Sequence, residues 1–236
     1  MAHPLQYLQA MGIQAWQLRD TGVAAAGVEA SGPESMELVE KPASRLDVSG
    51  LAWDELKTAV SQCQLCELHS SRTQIVFGVG SQHADWLVIG EAPGRDEDLQ
   101  GEPFVGRAGQ LLNAMLLAIG LKREQVFIAN ILKCRPPGNR DPKAEEIVCC
   151  EAYLARQIAL LQPKIILAVG RIAAQNLLKS DTPIGVLRGE VHHYAETGIP
   201  VIATYHPAYL LRSPSEKRKA WQDLQLAVAV VGRGSA

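Results

Sequence analysis

The chain has 236 residues, 47% of them hydrophobic, with 23 basic against 25 acidic side chains and a formal net charge of -2. That length buries one full core with some tens of residues left over, and the charge balance excludes recognition of nucleic acid through a global positive field, leaving only a local basic face. No apolar run approaches the roughly 20 residues of a membrane span and no charged-then-apolar leader opens the chain, so a cytosolic (cytoplasmic) protein without a membrane partner is expected, with a monomer as the default state.

In chain order, residues 1–19 read as an amphipathic N-terminal segment: Leu5, Leu8 and Met11 recur at three-residue intervals before Gly12. Residues 20–50 turn to Ala, Gly, Ser, Pro and Glu with no aromatic side chain and no apolar periodicity, the composition of a flexible linker. From 51 to 231, short β-branched runs alternate with longer helical patterns, which predicts an α/β domain built on a doubly wound parallel sheet. Strands are expected at 86–90 (WLVIG), 126–129 (VFIA), 165–169 (IILAV) and 201–204 (VIAT), and helices at 106–119, 142–161, 172–178 and 215–230. In the helix over 106–119, Leu111, Leu112, Met115, Leu116 and Ile119 share one apolar face.

Three of these strands run straight into polar clusters: Glu91-Ala92-Pro93-Gly94, Asn130, and His206-Pro207-Ala208-Tyr209. Each has a bland reading as a loop acid, a turn former or a strand stop. In a parallel sheet, however, those ends converge on one edge, where a carboxylate, a carboxamide and an imidazole together read a base edge and stabilise charge.

Five cysteines in a reducing compartment argue against a disulfide framework. Cys63 and Cys66 form C-x-x-C ahead of the sheet, while Cys134 and Cys150 bracket the start of the second long helix. Four thiolates so placed can hold a tetrahedral zinc ion or a cubane cluster, and spacing alone does not choose between them.

GEAPG (90–94), GEPFVGRAGQLLN (101–113), Asn130 ahead of KCRPPGNR (133–140), and HPAYLLR (206–212) together resemble the family 4 uracil-DNA glycosylases in order and spacing, over about residues 63–221. The resemblance implies the uracil-DNA glycosylase-like three-layer αβα sandwich and an enzyme that flips uracil out of DNA and hydrolyses its N-glycosidic bond in base excision repair. It implies a [4Fe-4S] cluster on Cys63, Cys66, Cys134 and Cys150, with Cys149 left as a buried small hydrophobe.

On that resemblance, Phe104 stacks on the flipped ring within a pocket walled by Glu91, Ala92 and Pro93. The Asn130 carboxamide accepts from uracil N3–H while donating to O4, the reverse of what cytosine offers. His206 stabilises the negative charge that develops on O2. An attacking water needs a carboxylate, for which Glu97 ranks ahead of Glu91, with Asp96 and Asp98 as solvated loop acids. Tyr209, Leu210, Leu211 and Arg212 resemble a loop that wedges into the DNA minor groove. Arg95, Lys133, Arg135, Arg140, Arg188, Arg212, Lys217 and Arg218 are candidates for a phosphate-binding face.

LQAMGIQAWQLR (8–19) is similar to the opening of the psi subunit of the bacterial DNA polymerase III holoenzyme, which implies a clamp-loader contact through residues 5–19. The alternative is a helix that packs on its own domain. Three functions follow: a uracil-excising enzyme, a psi-like replisome adaptor with the glycosylase domain as DNA-binding scaffold, or a binder that traps uracil-DNA covalently through a histidine. Residues 134–142 carry no such histidine.

Overall fold

The computed structural model describes residues 47–233, so the N-terminal segment and most of the linker lie outside the described residues. Val48, within the stretch read as linker, is buried beside Leu56, Val60, Phe77 and Tyr153. The packed unit therefore starts before residue 51.

Among the described residues, six strands form one sheet: β1 (Val79–Gly80), β2 (Trp86–Gly90), β3 (Phe127–Asn130), β4 (Ile165–Val169), β5 (Val191–His193) and β6 (Pro200–Thr204), in the order β1-β3-β2-β4-β6-β5. The central four are parallel, as expected, whereas the two short edge strands run antiparallel. Helices are α1 (Trp53–Ser61), α2 (Arg95–Gln100), α3 (Arg107–Ala118), α4 (Ala144–Leu161), α5 (Arg171–Leu178), α6 (Ile184–Leu187), α7 (Pro207–Arg212) and α8 (Lys217–Arg233).

The central strands are apolar throughout because both sheet faces are covered. With a side-chain period of two, Leu87, Ile89, Phe127, Ala129, Ile166 and Ala168 point to one face and meet Leu154 and Ile158 of α4 and Ala173 and Leu177 of α5. Trp86, Val88, Ile128, Leu167 and Ile202 point to the other and meet Leu112 and Leu116 of α3 and Leu224 and Ala227 of α8. The result is the three-layer arrangement the alternating pattern predicts. Because β3 and β4 lie on opposite sides of β2, the chain reverses its winding direction there, and a crevice opens at the carboxyl ends of the strands. Among the described residues, no helix is long and apolar enough to cross a membrane.

Candidate active site

Strand register brings the expected residues together. Gly90 is paired with Asn130, and the parallel ladder continues past both strands through Ile131 N–H to the Gly90 carbonyl (3.0 Å) and Leu132 N–H to the Glu91 carbonyl (3.1 Å). On the other flank, the Gly170 amide donates to the Thr204 carbonyl (2.8 Å), placing the end of β4 against the turn that carries His206. A crevice of about 450 Å³ at this edge is lined by Glu91, Ala92, Pro93, Glu97, Phe104, Asn130, Arg140, His206 and Arg212.

Asn130 is 2% exposed, and among the described residues its Oδ1 is the one buried side-chain nitrogen or oxygen without a hydrogen-bond partner. An orphaned buried acceptor costs about 1–3 kcal/mol, so it is a vacancy for a donor rather than a packing choice. Phe104 is 7% exposed and forms part of the core as well as the crevice wall, its ring 5.6 Å from that of His206 and tilted by 31°. Its φ of 53° lies in the left-handed region, a strain of about 1–3 kcal/mol for a bulky side chain. Neighbours hold it there: Arg123 donates to the Pro103 and Phe104 carbonyls, and Glu97 Oε1 accepts from the Val105 and Gly106 amides at 3.2 and 3.4 Å. Gly109 lets α3 begin against this loop, since a Cβ there would lie 1.7 Å from the Phe104 carbonyl oxygen.

His206 caps α7, its Nδ1 accepting from the Ala208 amide at 3.1 Å. That bond makes Nδ1 the acceptor and leaves the proton on Nε2. Burial, aided by the nearby Arg212 charge, pulls the imidazole down to about 4, so it is neutral at pH 7. Burial pushes Glu91 above the usual carboxylate range, Asp141 adds to the effect, and Arg171 opposes it.

Several expected placements are revised. Asp98 is not solvated: it is 3% exposed, and its Oδ1 accepts from the Thr73 and Gln74 amides at 2.9 and 3.4 Å. Asp96 is exposed as expected. Leu210, assigned to the wedge, is 1% exposed because α7 turns it into the core, leaving Leu211 as the exposed apolar residue of that tip. Tyr209 packs on Tyr205 at 5.1 Å between ring centroids. Two of the candidate phosphate ligands are engaged inside the fold, Lys133 by Asn130 O and Gln157, and Arg188 by the fully buried Asp223. Arg140 pairs with Glu146 yet still lines the crevice.

Cys63, Cys66, Cys134 and Cys150 line one small, partly open chamber, although Cys63 and Cys66 sit far in sequence from the other two. Cys149 lines it as well. Rather than being buried, Cys149 is partly exposed and donates from Sγ to the Leu65 carbonyl at 3.3 Å. Arg72 donates to Cys134 Sγ at 3.2 Å. Burial pushes Cys66 up to about 11 and Cys150 up to about 12, and each thiolate feels its neighbours' charge. Among the described residues, no three His, Cys, Asp or Glu side chains close on a point as a single metal ion requires. Sulfurs lining one chamber, with His69 also at its wall, are the donor type that a thiolate-held metal group takes.

Known proteins are similar to this sequence. The model of the uracil DNA glycosylase superfamily matches residues 77–225. A type-4 uracil-DNA glycosylase from Archaeoglobus fulgidus is 45% identical over 186 residues, which cover 76% of this chain and 94% of that protein. One from Thermotoga maritima is 39% identical over 175 residues, covering 73% and 91%, respectively. A type-5 uracil-DNA glycosylase from Pyrobaculum aerophilum is 32% identical over 148 residues, 56% of this chain and 64% of that protein.

Proposed function

This chain belongs to the type-4 branch of the uracil DNA glycosylase superfamily, and from that premise we propose how its residues carry out the excision of uracil from DNA. It is a monofunctional glycosylase that hydrolyses the N-glycosidic bond and leaves an abasic site in DNA repair.

The orphaned Asn130 Oδ1 is the observation that carries the residue roles. A uracil rotated into the crevice lies along the Phe104 ring, gives its N3–H to Oδ1 and accepts at O4 from the Asn130 amide nitrogen. Cytosine has no N3–H and presents an amino group at the adjacent position, so it leaves Oδ1 unpaired and sets donor against donor. His206, neutral and with its proton on Nε2, donates to uracil O2, where negative charge builds as the bond to the sugar lengthens. Glu97, with Oε1 anchored by the Phe104 loop, turns Oε2 to the attacking water; Glu91, Ala92 and Pro93 form the wall. Arg212 with Tyr209 and Leu211 meets the DNA strand, and Arg95, Arg135, Arg140, Lys217 and Arg218 supply phosphate contacts.

Cys63, Cys66, Cys134 and Cys150 hold a [4Fe-4S] cluster, a reading supported by the chamber they share and by the likeness to type-4 enzymes. When bound, the cluster supplies a cross-link between residues 63–66 and the segment 134–150. The replisome-adaptor alternative finds no support in the family matches, and a clamp-loader contact through residues 5–19 rests on sequence resemblance alone.

The test is incubation of the iron-loaded chain with a uracil-containing oligonucleotide, followed by alkaline cleavage at abasic sites. Wild-type protein cleaves, whereas Asn130→Asp and His206→Ser stay folded and lose at least about a hundredfold in rate. Unimpaired excision by either variant refutes that residue's role.

A further inference from the structure

Between the crevice and the cysteine chamber lies one buried ammonium. Lys133 is 1% exposed, and its Nζ donates to the Asn130 backbone carbonyl at 2.9 Å and to Gln157 Oε1 at 2.6 Å. Gln157 is itself fully buried and spends its own amide on the Phe77 carbonyl at 2.9 Å, which fixes its oxygen toward Lys133. Both acceptors are neutral, and no carboxylate forms an ion pair with Lys133 among the described residues. A buried ammonium with no counter-charge is expensive to keep. The groups that face it are sulfurs, which carry negative charge once they ligate a cluster: Lys133 lines the chamber beside Cys134 and Cys150, and its backbone amide bonds the Cys150 sulfur.

We propose that Lys133 is the positioning residue that joins the uracil-reading end of β3 to the cysteine chamber, its ammonium holding the Asn130 carbonyl and supplying the positive charge that faces the Cys134 and Cys150 thiolates. This rests on the reading above, in which Asn130 recognises the base and the cysteines hold a cluster. A side chain chosen only to fill space here would be apolar, as are the neighbouring Leu132 and Ile131. An ammonium does two things that an apolar chain cannot. It fixes the backbone of Asn130, and therefore the direction of the carboxamide. It also offsets the negative charge of a thiolate-bound cluster at the buried Cys134 and Cys150 side of the chamber.

Two variants of the full, iron-loaded chain test the link. Lys133→Met keeps the volume and removes the charge. Its kcat/KM on a uracil-containing oligonucleotide falls about ten- to a hundredfold, with affinity for uracil-free DNA unchanged. Its cluster reduction potential moves to more negative values, because a nearby positive charge no longer favours the added electron. Gln157→Glu gives up the bond to the Phe77 carbonyl but leaves Lys133 bonded to Asn130 and brings a carboxylate to the ammonium, so excision stays close to wild type while the potential shifts in the same negative direction. A folded Lys133→Met protein that retains either the wild-type kcat/KM or the wild-type potential overturns the proposal. Where that variant fails to fold, an unshifted potential in Gln157→Glu overturns it. An iron-loaded wild type that does not excise uracil removes the reading underneath, whereas an active wild type with an unaltered Lys133→Met removes only the link.

Discussion

A side chain at position 90 would have nowhere to go. A Cβ there would lie 2.5 Å from Asn130 Oδ1 and 2.7 Å from the Phe104 ring, the two groups assigned to the base's edge and face. Gly90→Ala is therefore expected to fold, since the clash falls on two side chains that border the crevice and can shift into it, yet to lose at least about tenfold in kcat/KM, read by oligonucleotide cleavage alongside circular dichroism. His206 carries a second expectation. Its folded pKa of about 4 lies below the ordinary 6.5, so between those values the unfolded chain binds the proton and the folded chain does not. Its contribution to stability is fully present above about 6.5 and is lost as pH falls toward 4. The acid limb of kcat/KM belonging to this residue sits near 4; a limb near 6.5 that vanishes in His206→Ser would contradict the burial assigned to it. Asn130 and His206 were legible in the sequence because each leaves an apolar strand at the same sheet edge. The demands on Gly90 and the buried states of Lys133 and Leu210 were not, since a sequence carries charge and hydropathy but not the partner that a fold brings alongside.

The elements that announced themselves are those with a strong period. β2 and β4 lie where their apolar runs predict, and α4 differs from expectation only in its first turn. α2, α6 and the edge strands were missed, being too short for a period to develop, and α1 was missed although it is at least as long as α5. α7 was taken for a loop because His206-Pro207 reads as a stop, while Pro at the first helical position and a histidine cap begin a helix equally well. The join between α8 and β6 depends on Asp223, fully buried, which accepts from Arg188 at 2.7 and 3.1 Å and from the Thr204 hydroxyl at 2.8 Å. Arg188 also lies 5.8 Å from the centroid of the Tyr205 ring, one residue before His206. Asp223→Ala is expected to cost about 3–5 kcal/mol in urea unfolding, because it strands a guanidinium that has little access to water.

Across the whole molecule, the cysteine chamber brings the segment at 63–66, with Arg72 beyond it, beside the far wall carried by Cys134 and Cys150, which the proposed cluster would fasten together. Iron removal by chelation is expected to lower the melting temperature by about 2–4 °C for each kcal/mol lost and to make 63–72 the first stretch cut by protease. Unchanged melting and an unchanged cleavage pattern would show that the cluster fastens nothing. The margins of the sheet have a different consequence. An unpaired strand edge is a template on which another chain can add, and this sheet ends in strands of only two and three residues, Val79–Gly80 and Val191–His193. With so little open ladder to extend, crowded copies of the native protein have few sites for edge-to-edge aggregation.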